Sequence, residues 1–323
     1  MTNLPTRSLG RTGLTLTTLG FGGGPIGWRN TPEVEQEATA LIDAAWARGI
    51  RYYDTAPYYG YGNSERRVGR NLARRNRDDF VLSSKVGRLI RPRFAGNRSE
   101  EQVIYDYSRG GTLRSIEESL ERLGLARIDI ALIHDIDRWT HKEAQPRRFR
   151  EAVDGAYRAL SDLKAQGVIR AIGLGVNEWQ VCRAFADAVP TDCFLLAGQH
   201  SLLRQEAQRG FLPFCLEQGI GIMVGGPYNS GILASGAVKG ALFDYSPASD
   251  VVLDRVRRTE KICADFSVPL AAAALAFTLR DASVATVIPG VATVDELTLT
   301  ADNVALPVPD ELWAALAKMG LIS

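Results

Sequence analysis

The chain has 323 residues, of which 46% are hydrophobic and 23% are charged, and its formal net charge at pH 7 is +1. This composition is typical of a globular protein with a large core and excludes extended disorder. Because 38 basic residues are balanced by 37 acidic ones, the charge does not favour binding to nucleic acid or to an anionic membrane surface.

The amino terminus lacks the apolar stretch and cleavage site of a secretory signal, and no run approaches the ~18 apolar residues of a membrane span. The four cysteines form no CxxC pair, so we expect free thiols in a reducing compartment. These features predict a cytoplasmic protein without membrane contact, present as a monomer or a small homo-oligomer.

A glycine-punctuated start at residues 8–18 predicts a hairpin, after which short apolar, β-branched runs alternate with longer amphipathic ones. The short runs predict strands at residues 18–22, 51–55, 80–85, 128–134, 171–176, 193–199, 221–225 and 284–289. The amphipathic patterns predict helices that include residues 34–48, 112–123, 149–166, 205–218 and 251–266. Several predicted helices are followed by a glycine, as left-handed helix ends require: Gly49, Gly124, Gly167 and Gly219.

Alternation of strands and helices indicates a parallel sheet covered by helices. Eight repeats without a linker favour a single domain, residues 1–323, folded as a (β/α)8 TIM barrel with an N-terminal hairpin and a C-terminal helical extension. The alternative is an open, doubly wound sheet, which requires a glycine-rich phosphate turn after its first strand. Residues 20–24 read GFGGG, and no GxGxxG follows them.

Polar side chains of reactive type follow the predicted strands at their carboxyl ends. Barrel enzymes build their active sites from these strand ends and the loops beyond them. The residues in these positions are Asp54, Lys85, His134, Asn177, Gln199 and Tyr228. Each one alone also fits a structural role, such as a helix cap or a rim contact, but their common position favours one shared site.

Tyr59 lies five residues after Asp54 and completes a set suited to hydride-transfer chemistry. Reaction at a carbonyl or alcohol carbon requires a proton donor or acceptor at the oxygen, and the pKa of free tyrosine is about 10. A Lys85 ammonium held by Asp54 is expected to lower that pKa, and His134 can donate a hydrogen bond to the substrate oxygen. With three histidines and no HExxH motif, we expect no metal site.

Four motifs in the same order resemble the aldo-keto reductase family. They are DTAPYYG at 54–60 continuing to Asn63-Ser64-Glu65, SSKV at 83–86, Ile133-His134, and GLGVN at 173–177 with Gln199. The resemblance extends from RSLGRTGL near the start to PVPDELWAAL near the end. It implies a (β/α)8 barrel that binds NAD(P) without a Rossmann fold. It also implies that Asp54, Tyr59, Lys85 and His134 are catalytic, and that Asn177 and Gln199 hold the nicotinamide carboxamide.

Within that family, the stretches LLAGQHSLL, GGPYNSGIL and ELWAALAKMGLI resemble the sugar-oxidising branch. This branch contains D-threo-aldose, L-fucose and L-galactose dehydrogenases, with pyridoxal dehydrogenase as a near relative. The resemblance implies oxidation of a cyclic aldose at its anomeric hydroxyl to a lactone, with Tyr59 as the base. The alternatives are a pyridoxal dehydrogenase, an NADPH-dependent carbonyl or aldehyde reductase, and a non-catalytic nicotinamide-binding subunit.

The loops at the predicted active-site end carry aromatic residues that can stack on a sugar or a pyridine ring. The predicted substrate-binding residues are Trp28, Tyr58, Trp139 and Trp179. Residues 225–249 are rich in glycine and small side chains, whose backbone N–H groups can surround a pyrophosphate. The predicted cofactor-binding residues, besides Asn177 and Gln199, are Gly22, Gly226, Pro227, Tyr228, Asn229, Ser230, Gly231, Leu233, Pro289, Gly290 and Glu296.

The stretch after the eighth predicted strand bears on the choice of cofactor. Many family members carry a Lys-Ser pair and then an arginine here, which bind the 2′-phosphate of NADP. This chain has Pro289-Gly290-Val291, and Glu296 near the position of the arginine. Because a carboxylate repels a phosphate but accepts hydrogen bonds from ribose hydroxyls, we predict a preference for NAD, with NADP as the alternative.

Overall fold

The computed structural model describes residues 4–90 and 103–323. Eight strands form one sheet in chain order: β1 (Phe21–Gly22), β2 (Tyr52–Asp54), β3 (Val81–Val86), β4 (Ile130–His134), β5 (Ala171–Val176), β6 (Cys193–Ala197), β7 (Gly221–Gly225) and β8 (Val284–Ile288). Neighbouring strands are all parallel. A parallel bridge between Leu19 and Val287 joins the two ends of the sheet. The sheet is therefore closed, and the predicted barrel is confirmed.

Because the strands are buried on both faces, they occur in the sequence as short apolar runs. Strands β4, β5, β7 and β8 are buried at every position, as expected for parallel strands covered by helices. Tyr52 and Leu132 pack inside the barrel, whereas Tyr53 and Ile133 pack outward against the helices. Strands such as β2 and β4 thus contribute to two apolar layers, and all eight predicted strands are present.

An amino-terminal hairpin closes one end of the barrel. Residues Thr6–Ser8 pair with residues Thr15–Thr17 in antiparallel register, as predicted from the glycine-punctuated start. The side chains of Leu9, Leu14 and Leu16 in and around this hairpin are buried and belong to the cluster inside the barrel. This apolar plug lies at the end where the strands begin, so the carboxyl ends of the strands remain open for a site.

Helices surround the sheet and connect its strands. They are α1 (Gly24–Trp28), α2 (Val34–Ala47), α3 (Asn63–Leu72), α4 (Arg109–Leu123), α5 (Arg138–His141), α6 (Gln145–Glu151), α7 (Arg158–Ala165), α8 (Trp179–Ala188), α9 (Phe211–Gln218), α10 (Ile232–Ser235), α11 (Asp250–Asp265), α12 (Leu270–Leu279), α13 (Val294–Ala305) and α14 (Asp310–Lys318). Helix α14 is the predicted carboxyl-terminal extension.

Two predicted helices are interrupted in the structure. The segment predicted at 149–166 spans α6, a π-helical turn at Ala152–Tyr157 and α7. In the segment predicted at 205–218, Glu206–Arg209 is a 3-10 turn, and α9 begins only at Phe211. The extended backbone of Gly210, with φ of 164°, separates these two pieces.

Two short antiparallel pairs in the loops at the open end were not predicted from the sequence. Arg88–Ile90 pairs with Val103–Tyr105 after β3, and Leu242–Phe243 pairs with Ser246–Pro247 after β7. Both pairs are two or three residues long, too short for alternation of polar and apolar residues to reveal a strand.

Over residues 4–90 and 103–323, no single helix is both long and apolar enough to cross a membrane. One pair of helices, Asp250–Asp265 with Leu270–Leu279, meets the length and composition together but is bent by 96°. The four cysteines are buried free thiols.

Helix α3 is joined to the barrel by buried polar contacts from Ser64 and Glu65. The Ser64 hydroxyl donates to the Gly23 carbonyl at 2.7 Å. The Glu65 carboxylate is fully buried and accepts hydrogen bonds from the Ser84 hydroxyl at 2.7 Å and the Arg122 guanidinium at 2.6 Å. These contacts hold the start of α3 against β3 and α4, and with it the loop that precedes the helix.

Replacing Glu65 by alanine should destabilise the protein by about 3 kcal/mol, because it leaves the buried Arg122 guanidinium without its carboxylate. Glu118 also contacts Arg122, at 3.5 Å, but is partly exposed, so Glu118→Ala is the matched control and should cost less than about 1 kcal/mol. Urea unfolding followed by circular dichroism measures both values. Equal losses in the two variants would contradict this account of Glu65.

Candidate active site

Asp54 and Lys85 form a buried ion pair at the carboxyl ends of β2 and β3. The Lys85 Nζ donates to Asp54 Oδ2 at 2.7 Å and to the Thr55 carbonyl at 3.0 Å. The other carboxylate oxygen of Asp54 accepts from the Ser83 hydroxyl at 2.6 Å. Because a buried charge is tolerated only when it is paired and hydrogen-bonded, these contacts fix the ammonium in one position.

Tyr59 reaches this ion pair from the loop between β2 and α3. The Lys85 ammonium lies 4.7 Å from the centre of the Tyr59 ring, close enough for its charge to lower the pKa of the Tyr59 hydroxyl. The loop turns at Gly60, whose φ is +61° and where a Cβ would lie 1.8 Å from the Gly27 carbonyl oxygen in α1. Only glycine fits this close contact, which holds the neighbouring Tyr59 in place.

The pKa of Tyr59 differs from the sequence-based expectation. Lys85 lowers the pKa of the Tyr59 hydroxyl as expected, but burial is the larger effect and Asp54 adds to it, so the net pKa lies above the usual 10. The expected net lowering is therefore wrong. Tyr59 is therefore protonated at neutral pH, the form in which a phenol can donate a proton.

His134 ends strand β4 beside the two tyrosines of the loop. Its ring centre lies 6.1 Å from that of Tyr59 and 6.3 Å from that of Tyr58, in edge-on geometry in both cases. Burial, together with the Arg88 and Lys85 charges, lowers the pKa of His134 well below its usual 6.5. The imidazole is therefore neutral at pH 7, and a neutral imidazole can donate one hydrogen bond without bringing a charge.

A cavity of about 450 Å³ opens beside these side chains. Tyr59, Lys85 and His134 line it, and Asp54 lies behind Lys85. Three of the four predicted substrate-binding residues also line it: Trp28, Tyr58 and Trp139. Both tryptophans are about half exposed, so their rings form walls that are accessible from solvent.

Trp179, the fourth predicted substrate-binding residue, does not line this cavity. It begins α8, and its ring packs 5.7 Å from that of Phe211 against the main core. The prediction placed Trp179 correctly at the open end, but its side chain packs between helices α8 and α9. The structure thus assigns Trp179 to packing.

Arg88, Asp135 and Tyr245 also line the cavity, although none of them was predicted as a site residue. Asp135 directly follows His134, so its position after a strand was a usable signal. Arg88 belongs to the antiparallel pair after β3, and Tyr245 lies in the turn that joins the two strands of the pair after β7. No sequence signal indicated them because these pairs were not predicted.

Further cavities extend from this one along the same rim of the barrel. A space of about 180 Å³ is lined by Asn177, Gln199 and Tyr245. Tyr245 donates its backbone N–H to the Ser230 hydroxyl at 2.9 Å, and Ser230 lines a third space of about 440 Å³. The first two spaces share Asn177 and Tyr245 in their walls, and the bond from Tyr245 to Ser230 brings the wall of the third next to them.

The predicted cofactor-binding residues divide into two groups. Those that line the second and third cavities are Asn177, Gln199, Tyr228, Ser230, Gly231, Gly290 and Glu296. Those that line none of the three are Gly22, Gly226, Pro227, Asn229, Leu233 and Pro289. In the second group, the side chain of Leu233 is fully buried, and Asn229 is bonded to Ser201 and the Gly198 carbonyl. Both side chains therefore hold the loop in shape.

Glu296 has a structural role as well as a place in the third cavity. It lies in the first turn of α13, where the Thr293 hydroxyl accepts a hydrogen bond from the Glu296 N–H. In return, the Glu296 carboxylate accepts from the Ala292 N–H at 2.7 Å. This arrangement resembles a capping box, and it holds the carboxylate at the cavity wall.

His134 should still be neutral at pH 6.5, the usual pKa of a histidine, because burial and two nearby cations disfavour its protonation. Imidazole ¹⁵N NMR measures this directly, since the chain has three histidines. Arg88→Met should move the pKa of His134 upward, and Lys142→Met, which removes an exposed cation, should leave it unchanged. A wild-type His134 that titrates at about 6.5 or above would contradict the account.

The chain matches the model of the Aldo/keto reductase family over residues 18–320. It is 39% identical to pyridoxal 4-dehydrogenase from Microbacterium luteolum, with 98% of each chain covered. It is 38% identical to D-threo-aldose 1-dehydrogenase from a Pseudomonas species, with 96% of each covered.

Among solved structures, the chain is similar to an aldo-keto reductase from Bacillus halodurans in its holo form. The TM-score is 0.76 at 25% identity, with 99% of this chain and 97% of that one covered. The closed barrel, the rim of cavities and these matches agree with the resemblance seen in the motifs. The chain belongs to the aldo/keto reductase family of oxidoreductases.

Proposed function

We propose that the protein is a nicotinamide-dependent dehydrogenase that oxidises the C1 hydroxyl of an aldose, in its cyclic form, to the lactone. The observation that carries this proposal is the buried Lys85 ammonium, which is held by Asp54 and lies 4.7 Å from the centre of the Tyr59 ring, beside a neutral His134 at the wall of a cavity. The D-threo-aldose 1-dehydrogenase relative, at 38% identity, supports the choice of substrate class.

Each of the four side chains has a separate part in this chemistry. Tyr59 acts as a phenolate, which the Lys85 ammonium stabilises, and it becomes the neutral phenol when it takes the proton from the C1 hydroxyl. Asp54 keeps Lys85 charged and in position. His134 donates a hydrogen bond to the reacting oxygen and orients it without adding a charge. Bound NAD(P)⁺ would supply the hydride acceptor, and its positive charge would favour the phenolate of Tyr59.

The walls of the cavity suit a small polar molecule with an apolar face. Its volume of about 450 Å³ lies within the usual range of ligand sites. Trp28 and Trp139 offer exposed rings that can stack on the C–H face of a sugar, while Arg88 and Asp135 offer polar contacts. The proposed proton transfer and the mixture of aromatic and polar side chains in the cavity wall together favour a hydroxylated substrate over a purely apolar one.

Pyridoxal is the second candidate substrate, and the 39% identity to a pyridoxal 4-dehydrogenase favours it. Pyridoxal and aldoses share one reacting group, a cyclic hemiacetal whose oxidation yields a lactone. The aromatic walls accept a pyridine ring as readily as a sugar face. A third candidate is NADPH-dependent reduction of carbonyl compounds. The raised pKa of Tyr59 favours it, because Tyr59 then keeps the proton that reduction requires at neutral pH.

A substrate panel tests the proposal. D-threo-aldoses, L-fucose, L-galactose and pyridoxal are offered with NAD⁺ or NADP⁺, and simple aldehydes with NADH or NADPH, while the absorbance of the reduced nicotinamide is followed. Lactone formation from an aldose is the expected result. Faster turnover of pyridoxal or of simple aldehydes would move the assignment to the second or third candidate, and no turnover would favour a binding role.

Tyr59→Phe should reduce turnover of the accepted substrate by about 1000-fold, because it removes the proton-transfer group, while fold and cofactor affinity are kept. Tyr61→Phe is the matched control: Tyr61 lies in the same loop and contacts Trp28 edge-on, and its variant should keep at least half the activity. Steady-state kinetics and cofactor titration by fluorescence provide the readouts. Near-normal turnover in Tyr59→Phe would refute the role of this residue.

We further propose a preference for NAD⁺ over NADP⁺, set by the Glu296 carboxylate in the wall of the third cavity. Glu296→Gln removes the charge but keeps an acceptor for the Ala292 N–H, so it should narrow the kcat/KM ratio of NAD⁺ to NADP⁺ by about fivefold without loss of stability. Asp295→Asn, one residue away, exposed and outside the cavity, should leave the ratio unchanged. A wild-type enzyme that prefers NADP⁺ would overturn this proposal.

A further inference from the structure

Arg88 and Asp135 form a buried ion pair in the wall of the cavity, next to His134. An Arg88 Nη2 lies 2.8 Å from Asp135 Oδ2, and each side chain is only 9% exposed. Both residues line the same cavity as Tyr59. The four-residue chemistry of Asp54, Tyr59, Lys85 and His134 does not use them, so their presence at this wall calls for a role.

The backbone holds both residues in place by unusual conformations. Gly87 has a φ of +96°, and the Tyr107 ring lies 2.3 Å from where its Cβ would be, so glycine is required where the chain bends out of β3. Arg88 follows and pairs with Tyr105 in the antiparallel register. Asp135 has a φ of +48° and donates its N–H to the Gly175 carbonyl at 2.9 Å.

The surroundings of the pair orient both charged groups. The Arg88 guanidinium lies 4.2 Å from the Tyr58 ring centre and donates to the Tyr105 hydroxyl at 3.1 Å. Asp135 Oδ1 accepts from the Asn177 amide at 3.0 Å. Burial raises the pKa of Asp135 to about 6, with Arg88 opposing the rise, so the carboxylate is largely ionised at neutral pH.

A contribution to the stability of the fold does not by itself explain a buried pair of this kind. Removing two charges from water is costly, and an apolar pair of similar volume is often as stable or more so. A charged pair that lines a cleft, with its ionisation altered by burial, is in contrast typical of a functional site. The location in the cavity wall therefore favours contact with substrate.

We propose that the Arg88–Asp135 pair selects hydroxylated substrates, with the Asp135 carboxylate accepting hydrogen bonds from ring hydroxyls next to the reacting carbon. Arg88 is a positioning residue that holds the carboxylate at the cavity wall. This inference rests on the proposed oxidation of an aldose and names the residues that recognise it.

The hydrogen-bonding capacity of the carboxylate agrees with this role. A carboxylate offers about four lone-pair positions, and Asp135 meets Arg88 at 2.8 Å, Asn177 at 3.0 Å and the His134 Nε2 at a longer 3.4 Å. Acceptor capacity therefore remains for a substrate hydroxyl. Because a buried polar group left without its partner is costly, a site of this kind discriminates strongly against analogues that lack the hydroxyl.

Asp135→Asn keeps the size of the side chain and removes its charge. For the aldose that the wild type oxidises, kcat/KM should fall by about 50-fold, the effect of losing a hydrogen bond to a charged group, and most of the loss should appear in KM. For reduction of benzaldehyde, which has no hydroxyl groups, kcat/KM should stay within about twofold of the wild type. Asp106→Asn, which disrupts an arginine pair outside the cavity, is the control and should change neither value.

A second variant tests whether the effect of Asp135→Asn comes only from misfolding caused by an unpaired buried charge. Arg88→Met combined with Asp135→Asn removes both charges, so no unpaired ion remains buried, and it should show the same selective loss for the aldose. Circular dichroism and cofactor titration confirm that each variant is folded.

Equal losses for the aldose and for benzaldehyde in both variants would show that Asp135 acts only by positioning His134, and would overturn the inference. Unchanged kinetics with the aldose would also overturn it. Both results leave the proposed function intact. A wild-type enzyme that reduces benzaldehyde but oxidises no aldose would instead overturn the proposed function and this inference together.

Discussion

The buried ion pair between Lys85 and Asp54 is the interaction on which the open end of the barrel depends. Neither charge has water to stabilise it, so each requires its partner and its hydrogen bonds from Ser83 and to Thr55. The parallel register of β2 and β3 places Asp54 beside Ser83. Backbone pairing therefore sets the position of the Lys85 ammonium. The Tyr59 ring lies 4.7 Å from this ammonium, so the charge that acts on Tyr59 is fixed in position as well.

The charge on Lys85 and the burial of Tyr59 act in opposite directions, and their balance bears on the direction of the reaction. Burial prevails and Tyr59 keeps its proton at neutral pH, which suits reduction. The proposed oxidation requires the phenolate, and therefore an additional positive charge in the site. The neutral His134 adds none, so it can orient the substrate oxygen in either direction without changing this balance.

In the proposed mechanism, strands carry three of the four catalytic residues, and loops carry Tyr59 and most of the walls that would contact the substrate. Asp54, Lys85 and His134 belong to strands whose pairing cannot shift without disturbing the core. The cavity walls come from loops instead, including the antiparallel pair that carries Arg88 and the turn that carries Tyr245. Loops on a rigid scaffold can change while the chemistry is kept. Two relatives of nearly equal identity are accordingly named for different substrates, pyridoxal and a D-threo-aldose.

The sequence by itself determined the alternation of eight strands with helices, the amino-terminal hairpin and the strand-end positions of Asp54, Lys85 and His134. These features depend on local apolar runs and glycine positions, and in a barrel all strand ends meet at one rim. Tertiary structure alone decided that Trp179 packs against Phe211 and that Arg88 reaches Asp135. It also decided that burial outweighs Lys85 in the pKa of Tyr59. The direction of a side chain and the loss of water around it depend on residues far apart in the chain, and no local pattern records them.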